Sequence, residues 1–126
     1  MRRAFPVVYV RDVGAALAFY ADLLGWEEQY RFPADGDPGY VGLKRDEADL
    51  GLAHESWPRE SMGLELGDGP RFELFVYVDD VDESLARAQR AGAPVLAAAR
   101  DMPWGERMAC VADPDGNPVT LAAPLG

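Results

Sequence analysis

Val76-Tyr77-Val78-Asp79-Asp80-Val81-Asp82 is the second writing of a pattern that this chain already carries as Val8-Tyr9-Val10-Arg11-Asp12-Val13-Gly14. The match runs on downstream. Leu17-Ala18 answers Leu85-Ala86, and Gly25 closes the first copy about where Gly92 closes the second. Each copy reads strand, aspartate turn, helix, glycine. A chain of 126 residues with a repeat of about half its length is two copies of one supersecondary unit, and a functional site is expected where the copies meet.

Working outward, Phe5 to Val10 is apolar and β-branched, which predicts a strand. Asp12 offers a helix N-cap. Val13, Ala16, Leu17, Tyr20, Leu23 and Leu24 follow at spacings of three and four, an amphipathic helix packed on a sheet. Gly25 ends it. From Trp26 to Phe32 the chain alternates, with Trp26, Glu28, Tyr30 and Phe32 on one side and Glu27, Gln29 and Arg31 on the other. After the loop 33–39 come strands Tyr40 to Lys44 and Asp49 to His54, so the first unit is βαβββ. Residues 55–70, with Pro58, Gly63, Gly67, Gly69 and Pro70, read as a connection. Its apolar residues Trp57, Met62, Leu64 and Leu66 are expected to pack on the body.

The second unit repeats the order. Arg71 to Val78 predicts a strand, and Asp80 or Asp79 caps a helix. Val81, Leu85 and Ala88 form its buried stripe, while Glu83, Arg87 and Arg90 face water. Gly92 and Pro94 stop it. Strands are predicted from Val95 to Ala99, Glu106 to Ala112 and Pro118 to Ala122. Asp113-Pro114-Asp115-Gly116-Asn117 is a hairpin turn, with Asp-Gly supplying the positive-φ position.

Length sets one domain, residues 1–126, with unit 1 at about 4–54, the connection at 55–70 and unit 2 at about 71–123. Hydrophobic content of 48% and charged content of 27% are those of a globular chain. No run approaches a membrane span, and Met1-Arg2-Arg3-Ala4-Phe5-Pro6 lacks the apolar core of a signal peptide. Cys110 is the one cysteine and has no intrachain partner for a disulfide, so a cytoplasmic location is expected. A net charge of −10 argues against nucleic acid and anionic membrane as partners and is compatible with a cationic ligand.

Two tandem βαβββ units, Asp113 to Asn117 before a terminal strand, and Pro103-Trp104-Gly105 one strand upstream resemble the vicinal oxygen chelate superfamily. So do Val10-Arg11-Asp12-Val13, Phe19-Tyr20 and Leu24-Gly25. That superfamily includes glyoxalase I, extradiol dioxygenases and the bleomycin-resistance binding proteins, and the resemblance covers nearly the whole chain. It implies an α+β fold in which the two units form a curved mixed sheet around a cleft, helices on the convex face. The cleft is closed within one chain or across a domain-swapped homodimer. In the enzymes a divalent metal sits there on His, Gln or Glu side chains. The resemblance puts those ligand positions at Phe5, at Gly51 or Ala53, at Glu73 and at Thr120.

Such a site wants three or more N/O ligands converging on one point. Phe5 and a glycine or alanine cannot coordinate, and a threonine hydroxyl is a poor ligand. Parity supports the placement. Leu74, Val76 and Val78 are the aliphatic set for the helix side, leaving Glu73, Phe75 and Tyr77 for the cleft. A slip by one residue would bury Glu73 under the helix. Likewise Val119 and Leu121 face the helix and Thr120 the cleft. Val8 and Val10 go inward, with Phe5, Val7 and Tyr9 opposite. No metal, cofactor or catalytic residue is expected.

The candidate ligand-binding residues are Phe5, Tyr9, Phe32, Tyr40, Trp57, Glu73, Phe75, Tyr77, Trp104 and Thr120. The aromatics make an apolar lining with hydroxyls at its edge, against the alternative that a dimer partner covers the same surface. Glu73 is the lone acid on that side, a partner for a ligand cation or a base, against a carboxylate bonded to Arg71 or a tyrosine. Trp57 and Trp104 lie on loops and suit stacking on a flat or cationic ligand, against plugging the sheet's end or a dimer contact. Trp26 reads as core, and Cys110 as a buried, inert thiol. His54, the only histidine, shares parity with Leu50 and Leu52. A strand-end residue outside any catalytic role is the preferred reading over a ligand or base.

Three functions follow. One is a metal-free protein that binds and sequesters an aromatic or cationic natural product. Another is a metal-dependent lyase, isomerase or oxygenase. The last is an auxiliary or regulatory domain with no small-molecule role. The missing ligands, the aromatics and the acidity favour the first, with enzymatic activity disfavoured and a homodimer expected.

Overall fold

The computed structural model describes residues 5–63, 65–69 and 72–126, with Ser61 and Met62 described by backbone alone. The fold is α+β, two tandem βαβββ units that divide after Gly67. Unit 1 runs β1 (Val7–Val10), α1 (Val13–Leu17), β2 (Glu27–Phe32), β3 (Tyr40–Arg45) and β4 (Ala48–His54), followed by a short helix α2 (Trp57–Met62). Unit 2 runs β5 (Leu74–Tyr77), α3 (Val81–Arg90), β6 (Val95–Asp101), β7 (Glu106–Ala112) and β8 (Pro118–Pro124). Each unit makes an open four-stranded mixed sheet, β1-β4-β3-β2 and β5-β8-β7-β6. The first strand of each pairs parallel to the last, and the remaining pairs are antiparallel.

The aspartates cap as expected. Asp12 Oδ1 accepts from the Ala15 N–H at 3.1 Å and Asp80 Oδ1 from the Glu83 N–H at 3.1 Å, which decides between Asp79 and Asp80. Val8 and Val10 are fully buried on the helix side of unit 1, with Val13, Ala16, Val41, Leu50 and Leu52. Burying each such aliphatic side chain contributes roughly 1.5–3 kcal/mol, which holds the strand parity in place. In unit 2, Val76, Val119 and Leu121 are buried. Val78, Leu85 and Ala99 pack on the cluster of Val81, Ala109 and Ala123.

Several expectations are corrected. The first helix is not α-helical throughout. After Leu17 it widens into a π-helical segment over Ala18–Leu23. Phe19 and Tyr20 are adjacent, yet both are buried, with rings edge-to-face at 5.0 Å. A wider turn accompanies this burial of neighbouring large side chains. Strict alternation in β2 also fails. The pairing shifts between Glu28 and Tyr30, so a bulge at Gln29 sends Glu28 to the side of Arg31, with which it forms an ion pair. The connection holds a helix, α2, with Pro58 in its first turn and Gly63 at φ 66° after its end. Of its described apolar residues, Trp57 and Leu66 are exposed where packing is expected, and Pro58 is buried. Leu64 and the side chain of Met62 lie outside what the structure describes, as does Arg71, the expected start of β5. Strand β6 extends past Ala99 to Asp101, and β8 past Ala122 to Pro124.

Candidate functional site

Each sheet has a helix on one face and an open face opposite, and the strand registers say which side chains share the open one. In unit 1, Tyr9, Ala53, Tyr40 and Phe32 form one cross-strand row, and Val7, Gly51, Gly42 and Tyr30 form the next. The second row has two glycines side by side at its centre. Tyr40 leans from its own row across them. A Cβ built on Gly51 would stand 2.7 Å from the Tyr40 hydroxyl and 3.0 Å from its ring, and one on Gly42 would stand 3.8 Å from the ring. The glycines leave a hollow and the tyrosine fills it.

Beside that ring an open groove of about 430 Å³ is lined by Phe5, Gln29, Tyr30, Tyr40, Gly42 and Asp49, among others. The Tyr30 and Tyr40 rings are 6.1 Å apart, and Gln29 Nε2 donates to Asp49 Oδ1 at 2.9 Å. The bulge in β2 is what brings Gln29 to this face. The groove therefore combines aromatic rings with polar side chains.

In unit 2, Phe75, Thr120, Cys110 and Ala97 form one open-face row, with Tyr77, Ala122, Met108 and Arg100 in the next. Phe75 and Tyr77 are exposed, with rings 5.3 Å apart. Thr120 is buried, and its hydroxyl makes a long 3.5 Å contact to Glu73 Oε2. Cys110 is half-buried, not buried as expected. It shares a face with Thr120, whereas its sequence neighbours Ala109 and Val111 face the helix.

Sequence reasoning misses Gln29, Tyr30 and Asp49 in the groove of unit 1 and Glu106 in unit 2. The Tyr77 hydroxyl donates to Glu106 Oε2 at 2.6 Å and the Trp104 Nε1–H to its Oε1 at 3.0 Å. Both oxygens are thereby aimed. The bond to this carboxylate holds the Tyr77 phenol above its ordinary pKa, since ionising it would set a second anion beside the first. A signal was present: alternation back from Cys110 through Met108 puts Glu106 on the open face, two residues after Trp104.

Of the other expected residues, Phe5, Tyr9, Phe32 and Tyr40 belong to the open side of unit 1, and Glu73, Phe75, Tyr77 and Thr120 to that of unit 2. Trp104 lies on the β6–β7 loop and is 60% exposed. Trp57 is not on a strand. It opens α2 and is exposed. His54 locks a turn: its Nδ1 accepts from the Ser56 N–H at 3.2 Å and lies 2.8 Å from Ser56 Oγ. An accepting Nδ1 leaves the neutral ring's proton on Nε2.

The four positions that the resemblance gives for metal ligands do not fit a divalent ion. Phe5 and Gly51 or Ala53 offer no side-chain donor, Tyr40 stands in the space over Gly51, and the Thr120 hydroxyl is turned to Glu73. One carboxylate does not make a site. Among the described residues no three His, Cys, Asp or Glu are grouped to hold a metal ion, and no helix is long and apolar enough to cross a membrane.

Paired βαβββ units with an aromatic open face on each define a vicinal oxygen chelate protein. The chain belongs to the Glyoxalase/Bleomycin resistance protein/Dioxygenase superfamily, whose family model matches residues 3–121. It is 30% identical to the uncharacterised protein Mb0911c of Mycobacterium bovis over 95% of this chain and 82% of that one. Among solved structures it resembles TioX from Micromonospora sp. ML1, with 25% identity and a TM-score of 0.76 over 98% of this chain and 100% of that one. It resembles equally, by identity, a lactoylglutathione lyase from Agrobacterium tumefaciens, with a TM-score of 0.71 over 97% of this chain and 93% of that one.

Proposed function

We propose that this chain is a metal-free protein that binds and sequesters a small aromatic or cationic molecule, in the manner of the bleomycin-resistance branch of its superfamily. Equal identity to TioX and to a lyase leaves the branch to be argued from the site. The observation that carries the reading is Tyr40 lying over Gly51. Gly51, one of the two alternatives for the second expected ligand position, carries no side chain, and an aromatic ring occupies the space beside it. The same ring walls a groove of about 430 Å³, within the range of small-molecule sites. Phe5, Tyr9 and Phe32 in unit 1, and Glu73, Phe75, Tyr77, Trp104 and Thr120 in unit 2, are the residues we assign to ligand contact. Trp57 is assigned with them as an exposed stacking surface. We further infer a cytoplasmic homodimer.

The test joins elemental analysis to a thermal-shift screen. The purified protein carries no stoichiometric divalent metal, and cationic or aromatic antibiotics raise its melting temperature where Ni, Zn, Fe and Mn salts do not. A ligand that binds only the folded state at 100 times its Kd stabilises it by about 2.7 kcal/mol, which is several degrees for a domain of this size. One tightly bound Ni, Zn, Fe or Mn per chain would overturn the proposal.

A further inference from the structure

We infer that Glu106, held between Tyr77 and Trp104, is a recognition site for an organic cation that carries N–H donors on a flat apolar body. The inference rests on the small-molecule reading above and names the charge and shape of the ligand on unit 2. Three observations meet here. The first is orientation. A carboxylate has about four lone-pair directions. Two of Glu106's are taken, one on each oxygen, by a phenol and an indole that are both neutral. The remaining two are fixed in direction, and among the described residues no other donor meets them.

The second is charge. The carboxylates of Glu28, Glu65, Asp82 and Asp101 are each paired with an arginine. Among the described residues no arginine, lysine or histidine pairs with Glu106. Its negative charge is left for something else. Neutral donors that aim a carboxylate without neutralising it would serve no purpose in an ordinary surface ion pair.

The third is surroundings. Tyr77 and Trp104, the two residues that aim the carboxylate, are 54% and 60% exposed, and Phe75, beside Tyr77, is 41% exposed. Aromatic faces next to a fixed anion attract a cation twice, through the ring quadrupole and through the charge. A planar cation can lay its body on a ring while its N–H groups reach the oxygens. A neutral analogue of the same shape keeps the stacking and loses the rest.

The test uses benzamidinium, its neutral counterpart benzamide, and the anion benzoate, titrated into the full chain while the Trp104 indole N–H resonance is followed by NMR. That resonance is assigned by its loss in Trp104→Phe. Benzamidinium shifts it and binds at least about tenfold more tightly than benzamide; benzoate does not bind. Glu106→Gln, nearly isosteric, lowers benzamidinium affinity at least about tenfold and leaves benzamide unchanged. Tyr77→Phe keeps its ring but loses one aiming bond, and weakens benzamidinium by less. In the unaltered protein, added salt weakens benzamidinium and spares benzamide, a readout that needs no variant. No benzamidinium binding, equal affinity for benzamidinium and benzamide, or a Glu106→Gln protein that binds benzamidinium as before would each overturn the inference. If antibiotics in the thermal-shift screen still bind under any of those outcomes, the small-molecule reading survives without it. A bound stoichiometric metal together with no organic ligand would end both.

Discussion

At the scale of single residues, Gly51 and Tyr40 behave as one unit. A methyl group on Gly51 meets the tyrosine ring and must push it aside. Gly51→Ala is therefore expected to cost about 1 kcal/mol in the unaltered protein. In a Tyr40→Ala background the hollow is empty. There the same substitution should be neutral or stabilising, because alanine restrains an unfolded chain more than glycine does. Urea unfolding of the four proteins in this cycle gives a coupling of about 1 kcal/mol or more. Strictly additive effects would show that the ring does not rest on the glycines. Sequence parity makes the open face of Gly51 legible, but not the tyrosine over it. That contact joins residues in different cross-strand rows and depends on how one ring tilts. Glu106 is hidden for a related reason. Its partners are Trp104, two residues away, and Tyr77 on a strand far off in sequence, and only the sheet registers bring them together.

Among the elements, α3 shows how a helix is tied at its start. Arg107 on β7 reaches both oxygens of Asp82 in the helix's first turn, at 2.9 and 3.0 Å, and Asp101 on β6 at 2.8 Å. Hydrogen bonding by Arg107 holds the Asp82 carboxyl below its ordinary pKa. A carboxylate with a depressed folded pKa stabilises the fold above its unfolded pKa. That contribution disappears as pH falls from the usual carboxylate range through the lower folded value. In Arg107→Met this part of the acid limb should vanish: the melting temperature of the variant falls less steeply with acid than that of the parent. The difference between the two should shrink in high salt, because the pair is exposed. Parallel pH profiles would mean that Arg107 does not perturb Asp82. The strands and both capped helices are legible because each rests on a local rule, alternation, an aspartate cap or a closing glycine. The π-helical segment and the bulge at Gln29 are not. They arise where two buried aromatics and a groove-facing glutamine override the simple period. The helix α2 is a different kind of omission, since Pro58 and Gly63 mark its ends in the sequence.

For the whole molecule, the duplication is the most legible feature, and it explains why both sheets have the same strand order. Each unit leaves apolar side chains exposed on its open side, Val7, Tyr30 and Phe32 in one and Phe75 and Tyr77 in the other. Patches of that kind mark interaction surfaces. Sedimentation velocity at micromolar concentration is expected to give a dimer, and added salt should favour it by screening a chain charge of −10. A clean monomer at every salt concentration would remove the version of the binding site that two chains share. The tyrosine over the paired glycines also sets the order in which this molecule can change. Placing any side chain at Gly51 in one step collides with Tyr40. Removing Tyr40 first bares a hollow that does nothing until a second change fills it. The ring and the two glycines therefore have to change together, and a single substitution at either place leaves a clash or an empty hollow.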